Sequence, residues 1–218
     1  TGNLIKTYPN IPILSEESKA IPYKKRKDWE YFWLIDPLDG TKEFVKKNGE
    51  FTVNIALVHK GKPILGVVYV PVKEVLYFGQ EVSGAYKLED ASILDNCKSM
   101  EDVIKNSLKL PLDYPGRSFT VVGSRSHMSD ETMDYIRKLE KEHGKIDILS
   151  VGSSLKICMV AEGKADVYPR FGPTMEWDTG AGQAVAEFSG CKVFEEGKNK
   201  PLRYNKENLL NPWFIVQR

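Results

Sequence analysis

The run Tyr31-Phe32-Trp33-Leu34-Ile35 breaks off in Asp36-Pro37-Leu38-Asp39-Gly40-Thr41, and no other stretch of the 218 residues constrains the fold as strongly. Five bulky uncharged residues read as an interior strand, although periodicity alone leaves a short buried helix open. Charge enters only where the run stops. Pro37 restricts Asp36 to extended conformations, and Asp39-Gly40 turns the chain, so two carboxylates can converge on one point. Such a point suits a hard divalent cation. Mg²⁺ takes oxygen ligands and keeps several waters, so two or three carboxylates and a substrate phosphate complete its shell. A surface turn would account for Pro-Leu-Asp-Gly taken alone. The longer pattern Asp-Pro-x-Asp-Gly-Thr arises by accident in a chain of this size on the order of once in ten thousand.

Around this point the rest of the chain divides into two styles. Residues 11–14 read as a short strand running into Ser15-Glu16-Glu17-Ser18, and residues 24–27 as a basic loop. Residues 51–58 and 63–70 are strands joined by His59-Lys60-Gly61-Lys62, a hairpin by its turn residues, with shorter strands at 75–78 and 85–88. From 94 to 116 the chain is polar and proline-punctuated, a seam between two lobes. Beyond it the pattern alternates: strand 119–123, helix 130–143, strand 146–151, helix 153–162, strand 165–168 and helix 178–189, then strands at 192–194 and 213–216. Ser129 is a fair N-cap and Gly144 a fair stop for the first of these helices, and Asp178 an N-cap for the last. The expected fold is an α+β or α/β layered sandwich, with a largely antiparallel lobe at 1–115 and a mixed α/β lobe at 116–218.

Composition removes several functions. Lysine and arginine total 31 against 30 acidic residues, so no global field draws in a nucleic-acid polymer or an anionic membrane. Any anion has to be held locally. Cys97, Cys158 and Cys191 are scattered and odd in number, which fits reduced thiols in a cytoplasmic protein better than a disulfide framework or a zinc site. No run approaches the ~20 apolar residues needed to span a bilayer, and no signal-peptide pattern is present. Residues 4–8 read as the end of a helix that starts earlier.

Glu16 and Glu17 also follow a strand, which puts them within reach of the same sheet edge as Asp36 and Asp39. Asp178 opens a helix of small residues, Thr179-Gly180-Ala181-Gly182, where one carboxylate oxygen can cap and the other can face a cation. If Thr41 starts a helix, the N–H groups of Gly40 and Thr41 form an anion site. The Thr41 hydroxyl stands beside it, able to orient a water. Four carboxylates, a phosphate cradle and a hydroxyl point to metal-assisted hydrolysis of a phosphate ester, in which one cation lowers the pKa of the attacking water and another stabilises the departing oxygen.

Ile13-Leu14-Ser15-Glu16-Glu17, Asp36 to Phe44, Gly123-Ser124-Arg125-Ser126-His127, Gly152 to Gly163 and Trp177 to Gly182 together resemble the lithium-sensitive, magnesium-dependent phosphatases of the inositol monophosphatase superfamily. Lys42-Glu43-Phe44 after the threonine, with Tyr168-Pro169-Arg170-Phe171-Gly172-Pro173, is similar to the branch that acts on nucleoside bisphosphates. The resemblance implies two or three Mg²⁺ ions held by Glu16, Asp36, Asp39, Asp178 and the Leu38 carbonyl, with Asp39 and Asp178 sharing one. It implies catalysis by Thr41, Asp39 and Glu16, and a scissile phosphate on Gly40 and Thr41. Ser124, His127, Ser154 and Lys156 would contact a small-molecule nucleotide, whose second phosphate needs a cation such as Lys156 or Arg170. The expected reaction releases the 3′-phosphate of adenosine 3′,5′-bisphosphate, and of 3′-phosphoadenylyl sulfate by the same chemistry. An inositol monophosphatase and a non-catalytic nucleotide- and metal-binding homologue stay open beside it. The resemblance also implies a helical segment ahead of Glu16, including an aspartate bonded to Thr41, and the residues start too late to hold it. A longer protein is expected, with weak metal occupancy or a mobile site wherever that segment is lacking.

Overall fold

The computed structural model describes residues 2–123 and 128–218. Helix α1 (Gly2–Thr7) precedes strand β1 (Ile13–Ser15), helical turn α2 (Tyr23–Arg26), strand β2 (Tyr31–Asp39) and helix α3 (Thr41–Lys46). Strands β3 (Thr52–His59), β4 (Lys62–Val70), β5 (Val75–Gln80) and β6 (Gly84–Leu88) follow, then helix α4 (Met100–Lys105) and strand β7 (Leu108–Lys109). These strands form one seven-stranded sheet in sequential order. The β1–β2 pair is parallel and every later pair antiparallel. The hairpin between β3 and β4 turns on Lys60 and Gly61, at φ 48° and 74°, the paired left-handed conformation whose twist matches that of the flanking strands.

The second half supplies β8 (Phe119–Gly123), α5 (Asp130–His143), β9 (Ile146–Ser150), α6 (Leu155–Glu162), β10 (Val167–Arg170), α7 (Glu176–Phe188), β11 (Lys192–Glu195) and β12 (Phe214–Gln217). Its sheet runs β11-β12-β10-β8-β9, parallel across β10, β8 and β9 and antiparallel at β12. Helices α6 and α7 pack on each other, α7 lying on β2 to β6 and α6 against β8, β10 and β12. The result is a layered α/β sandwich. One apolar core runs from Leu14, Phe32 and Val68 through Ile157 and Val185 to Phe214, so both sheets share it. Close approach depends on small residues. A Cβ on Gly66 of β4 would lie 2.2 Å from the Ala181 carbonyl oxygen of α7, so only glycine lets that helix sit this deep.

Three expectations need correction. The basic stretch at 24–27 is no loop: α2 buries Arg26, which donates to the Asn205 Oδ1 (2.8 Å) and to the carbonyls of Lys206 (2.6 Å) and Glu207 (2.9 Å). A guanidinium with five donors can tie down a loop that lacks backbone partners. The seam at 94–116 carries α4, with a reciprocal Ser99–Asp102 cap, and β7, which pairs with β6. Polar composition hid local capping there. The last helix begins at Glu176, so Asp178 is its third residue and not its N-cap; the carboxylate reaches back to accept the Met175 N–H at 2.8 Å.

Candidate active site

Strand parity explains how the acids meet. In a regular strand, residues 36 and 39 would face opposite sides of the sheet. Here β2 bulges: Asp36 pairs with Asn54 and Asp39 with Thr52, so one extra residue on β2 restores the parity and turns both aspartates to the helical layer. Pro37 suits a bulge because it brings no N–H to the ladder, and the Leu38 N–H donates to Asp36 Oδ1 at 2.9 Å. Strand β1 runs parallel to β2 with Ser15 level with Ile35, and the Glu16 N–H bonds the Ile35 carbonyl at 3.2 Å. Glu16 therefore emerges beside Asp36.

Asp178 arrives from the other half of the chain. The start of α7 is fixed by the buried Glu176, which accepts from the N–H groups of Asn205 (2.6 Å) and Lys206 (2.9 Å) and from Lys206 Nζ (2.6 Å). Carboxylate oxygens of Glu16, Asp36 and Asp178 come within 4.8 Å of one another. Burial, then the charges of Asp39, Glu16 and Asp178, push the Asp36 carboxyl up to about 8, and burial pushes Asp178 up to about 6. Burial and like charge outweigh the nearby Arg170 guanidinium, which opposes the rise at Asp178. Three oxygen donors crowded together, with no cationic side chain in the group among the described residues, fit a hard divalent cation. Glu17 is exposed and outside this group.

Asp39 lies next to the group and is held differently. Its Oδ2 accepts the Ser154 N–H at 2.5 Å and the Asn54 Nδ2 at 3.3 Å, with Thr52 Oγ1 also at 3.3 Å. The Ser154 hydroxyl in turn donates to Asn54 Oδ1 at 2.8 Å. Burial still raises the Asp39 carboxyl, against the charge of Lys156. Asp39, Gly40, Ser154, Lys156, Arg170 and Asp178 line a cavity of about 150 Å³ between the layers. Glu43 and Tyr168 close its sides. A second hollow of about 170 Å³ lies beside it along residues 169–173, and Lys156, Tyr168 and Arg170 form the wall common to both. Burial lowers the Lys156 ammonium while Asp39 opposes the shift, and its Nζ stands 6.0 Å from the Tyr168 ring centre. Arg170 donates to the Pro173 carbonyl at 2.9 Å, and its buried Nε has no partner among the described residues.

The sequence-derived residues thus fall into sets. Glu16, Asp36 and Asp178 converge; Asp39, Gly40, Ser154, Lys156 and Arg170 line the adjoining cavity; Leu38 sits in the bulge between the two aspartates. Thr41 is exposed as the first residue of α3, after Gly40 at φ 89°, and does not cap that helix. Ser124 and His127 lie outside the described residues. Thr52, Asn54, Glu43 and Tyr168 were missed. For the first two a signal existed: they share the inward face of β3 with Ala56 and Val58, and polar residues on a buried face require partners.

Residues 1–212 match the model of the inositol monophosphatase family. The chain belongs to that family. Within it, the chain is 47% identical over 209 residues to the 3′(2′),5′-bisphosphate nucleotidase CysQ of Escherichia coli K12, covering 95% of this chain and 76% of that protein. The crystal structure of CysQ from Bacteroides thetaiotaomicron superposes with a TM-score of 0.92 at 54% identity, over 98% of this chain and 79% of that one. Staphylococcal IMPase-II, at 22% identity and a TM-score of 0.71 over 100% of this chain and 76% of its own, shares the fold.

Proposed function

We propose that this chain is a Mg²⁺-dependent phosphatase that hydrolyses the 3′-phosphate of adenosine 3′,5′-bisphosphate to AMP and inorganic phosphate. The observation that carries the reading is the meeting of Glu16, Asp36 and Asp178 beside a cavity walled by Lys156 and Arg170. Similarity to bisphosphate nucleotidases supports the substrate class. Residues 1–115 then carry most of the metal ligands, and residues 116–218 carry Asp178 and the substrate cations.

Glu16, Asp36 and Asp178 would hold Mg²⁺, with Asp39 and the Leu38 carbonyl completing the set, and ions bound there supply Lewis acidity and charge neutralisation. The remaining work falls to the chain. N–H groups at the start of α3, from Gly40 and Thr41, receive the scissile phosphate. The exposed Thr41 hydroxyl orients the attacking water. Ser154 and Asn54 hold Asp39 Oδ2, which leaves its second oxygen to face the metal. Lys156 and Arg170, at the wall between cavity and hollow, bind the 5′-phosphate as charge-assisted donors. Among the described residues no helix is long and apolar enough to cross a membrane, and the free thiols of Cys158 and Cys191 suit a cytoplasmic enzyme.

The test is phosphate release with Mg²⁺ from adenosine 3′,5′-bisphosphate and from inositol 1-phosphate. Faster turnover of the bisphosphate is expected. A preference for the inositol ester would overturn the substrate assignment, and nucleotide binding without turnover of either would overturn the enzyme.

A further inference from the structure

Glu162, the last residue of α6, is fully buried, and the proposed mechanism makes no use of it. A carboxylate at the C-terminal end of a helix meets the negative end of the macrodipole, so its placement needs compensation. The compensation is extensive. Oε2 accepts from Tyr77 Oη at 2.6 Å, and Oε1 from Tyr114 Oη at 2.5 Å, Lys87 Nζ at 3.2 Å and Lys164 Nζ at 2.9 Å. The Glu162 carbonyl accepts the Leu112 N–H at 2.8 Å. These donors come from β5, from β6, from the segment after β7 and from the residue pair following α6. Burial works against the charged form, yet the donors hold the carboxyl below its ordinary range.

Stability alone is a poor reason for such a hub, because apolar residues of similar volume are often at least as stabilising as a buried ion cluster. Position is a better one. Helix α6 spans Leu155 to Glu162, about 12 Å of rigid rod at 1.5 Å per residue. Its far end carries the substrate cation: Lys156 lines the cavity, and the neighbouring Ser154 N–H holds Asp39. A rod fixed at one end sets the depth of the other.

We propose that Glu162 is a positioning residue that clamps α6 to the first sheet and so sets how far Lys156 reaches toward the second phosphate of the substrate. The proposal rests on the bisphosphate reading above. Its test is steady-state kinetics of Glu162→Gln in the full chain with adenosine 3′,5′-bisphosphate and with 3′-AMP, which lacks the 5′-phosphate. KM for the bisphosphate is expected to rise about tenfold with kcat within about twofold, and 3′-AMP turnover to change less than about twofold. Tyr114→Phe removes one donor from a half-buried position and keeps the carboxylate charged, so a smaller KM rise of about threefold is expected. A proportional fall in kcat for both substrates would mark Glu162 as merely structural and overturn the proposal. So would an unchanged bisphosphate KM in both variants. Wild-type enzyme that fails to prefer the bisphosphate to 3′-AMP would overturn the reading and the positioning role together, whereas a preference kept equally by wild type and variants overturns the positioning role alone.

Discussion

Two buried acidic sites serve one helical layer, and they are built on opposite principles. Around Glu162, two tyrosine hydroxyls and two ammonium groups converge on a single carboxylate, and its pKa falls. Around Asp36, three further acids converge and one backbone N–H donates, and the pKa rises to about 8. Burial is common to both. The difference lies in who supplies the compensating charge: the fold itself at Glu162, and, on the proposed reading, a cation from outside at Asp36. Crowded like charges in a cleft are an unfavourable arrangement that a bound cation converts into affinity, which is why perturbed acids without donors mark function.

The largest effect expected from breaking this contrast is on turnover. Asp36→Asn keeps an acceptor for the Leu38 N–H and removes one of the crowded charges. Activity should fall about a thousandfold or more, while the metal-free protein unfolds at the same or a higher urea concentration. Asp39→Asn should likewise abolish turnover with little change in circular dichroism; retained activity would take Asp39 out of the metal shell. At the other site the signs reverse. Glu162→Ala strands the buried Tyr77 hydroxyl, takes a partner from Tyr114 and leaves Lys87 with only the exposed Glu89, so a loss of about 3–5 kcal/mol in urea unfolding is expected. Equal destabilisation by Asp36→Asn and Glu162→Ala would show that the two sites do not differ in kind.

A gentler comparison uses pH with a chelator present. Asp36 and Asp178 have folded values raised to about 8 and about 6. A raised acid contributes stability that is fully present below the unfolded carboxylate range near ~4 and is lost as pH rises through the folded value. Metal-free protein should therefore lose stability between pH about 5 and about 8, and Mg²⁺ should flatten that slope by favouring the ionised acids. Glu162, lowered by its donors, contributes in the other sense: its stability is present above the unfolded value and lost as pH falls. Urea midpoints from pH about 3 to about 8, with chelator and with Mg²⁺, would show the second behaviour at the acid end and the first at the neutral end, and a flat metal-free profile between pH about 5 and about 8 would contradict the raised acids.

How much of this was legible in the sequence follows the same divide. Asp36 and Asp39 stood out because Asp-Pro-x-Asp-Gly-Thr is longer than a surface turn requires, and Asp178 because it opens a helix of small residues. A bulky uncharged run located β2, the turn residues of the hairpin located β3 and β4, and Ser129 and Gly144 bounded α5 correctly because caps are local chemistry. The bulge that turns Asp36 and Asp39 to one side could not be read, since it is a property of β2 against β3. Arg26 looked like a surface charge because its acceptors lie roughly 180 residues away. Glu162 was passed over for the same reason: a charge at the end of an apolar helix looks solvated until Tyr77 of β5 and Tyr114 of the segment after β7 are brought to it.

Asp39 stands between the two principles, and the smallest predicted effect is the one that places it. Its Oδ2 has the donors of a structural acid, yet burial leaves the carboxyl raised as at Asp36. Thr52 is fully buried beside it, 3.3 Å from that oxygen and 2.9 Å from Ser154 Oγ. Thr52→Val keeps the shape and removes the hydroxyl. If Asp39 offers its other oxygen to a cation, loosening Oδ2 lets the carboxylate rotate, and half-maximal activation should need about threefold more Mg²⁺, with kcat at saturating metal reduced less than about threefold. If instead Asp39 only organises the Ser154 end of α6, as Glu162 organises the other, the Mg²⁺ requirement should stay put and KM for the bisphosphate should rise. Activation curves for Mg²⁺ and substrate on this one variant separate the two.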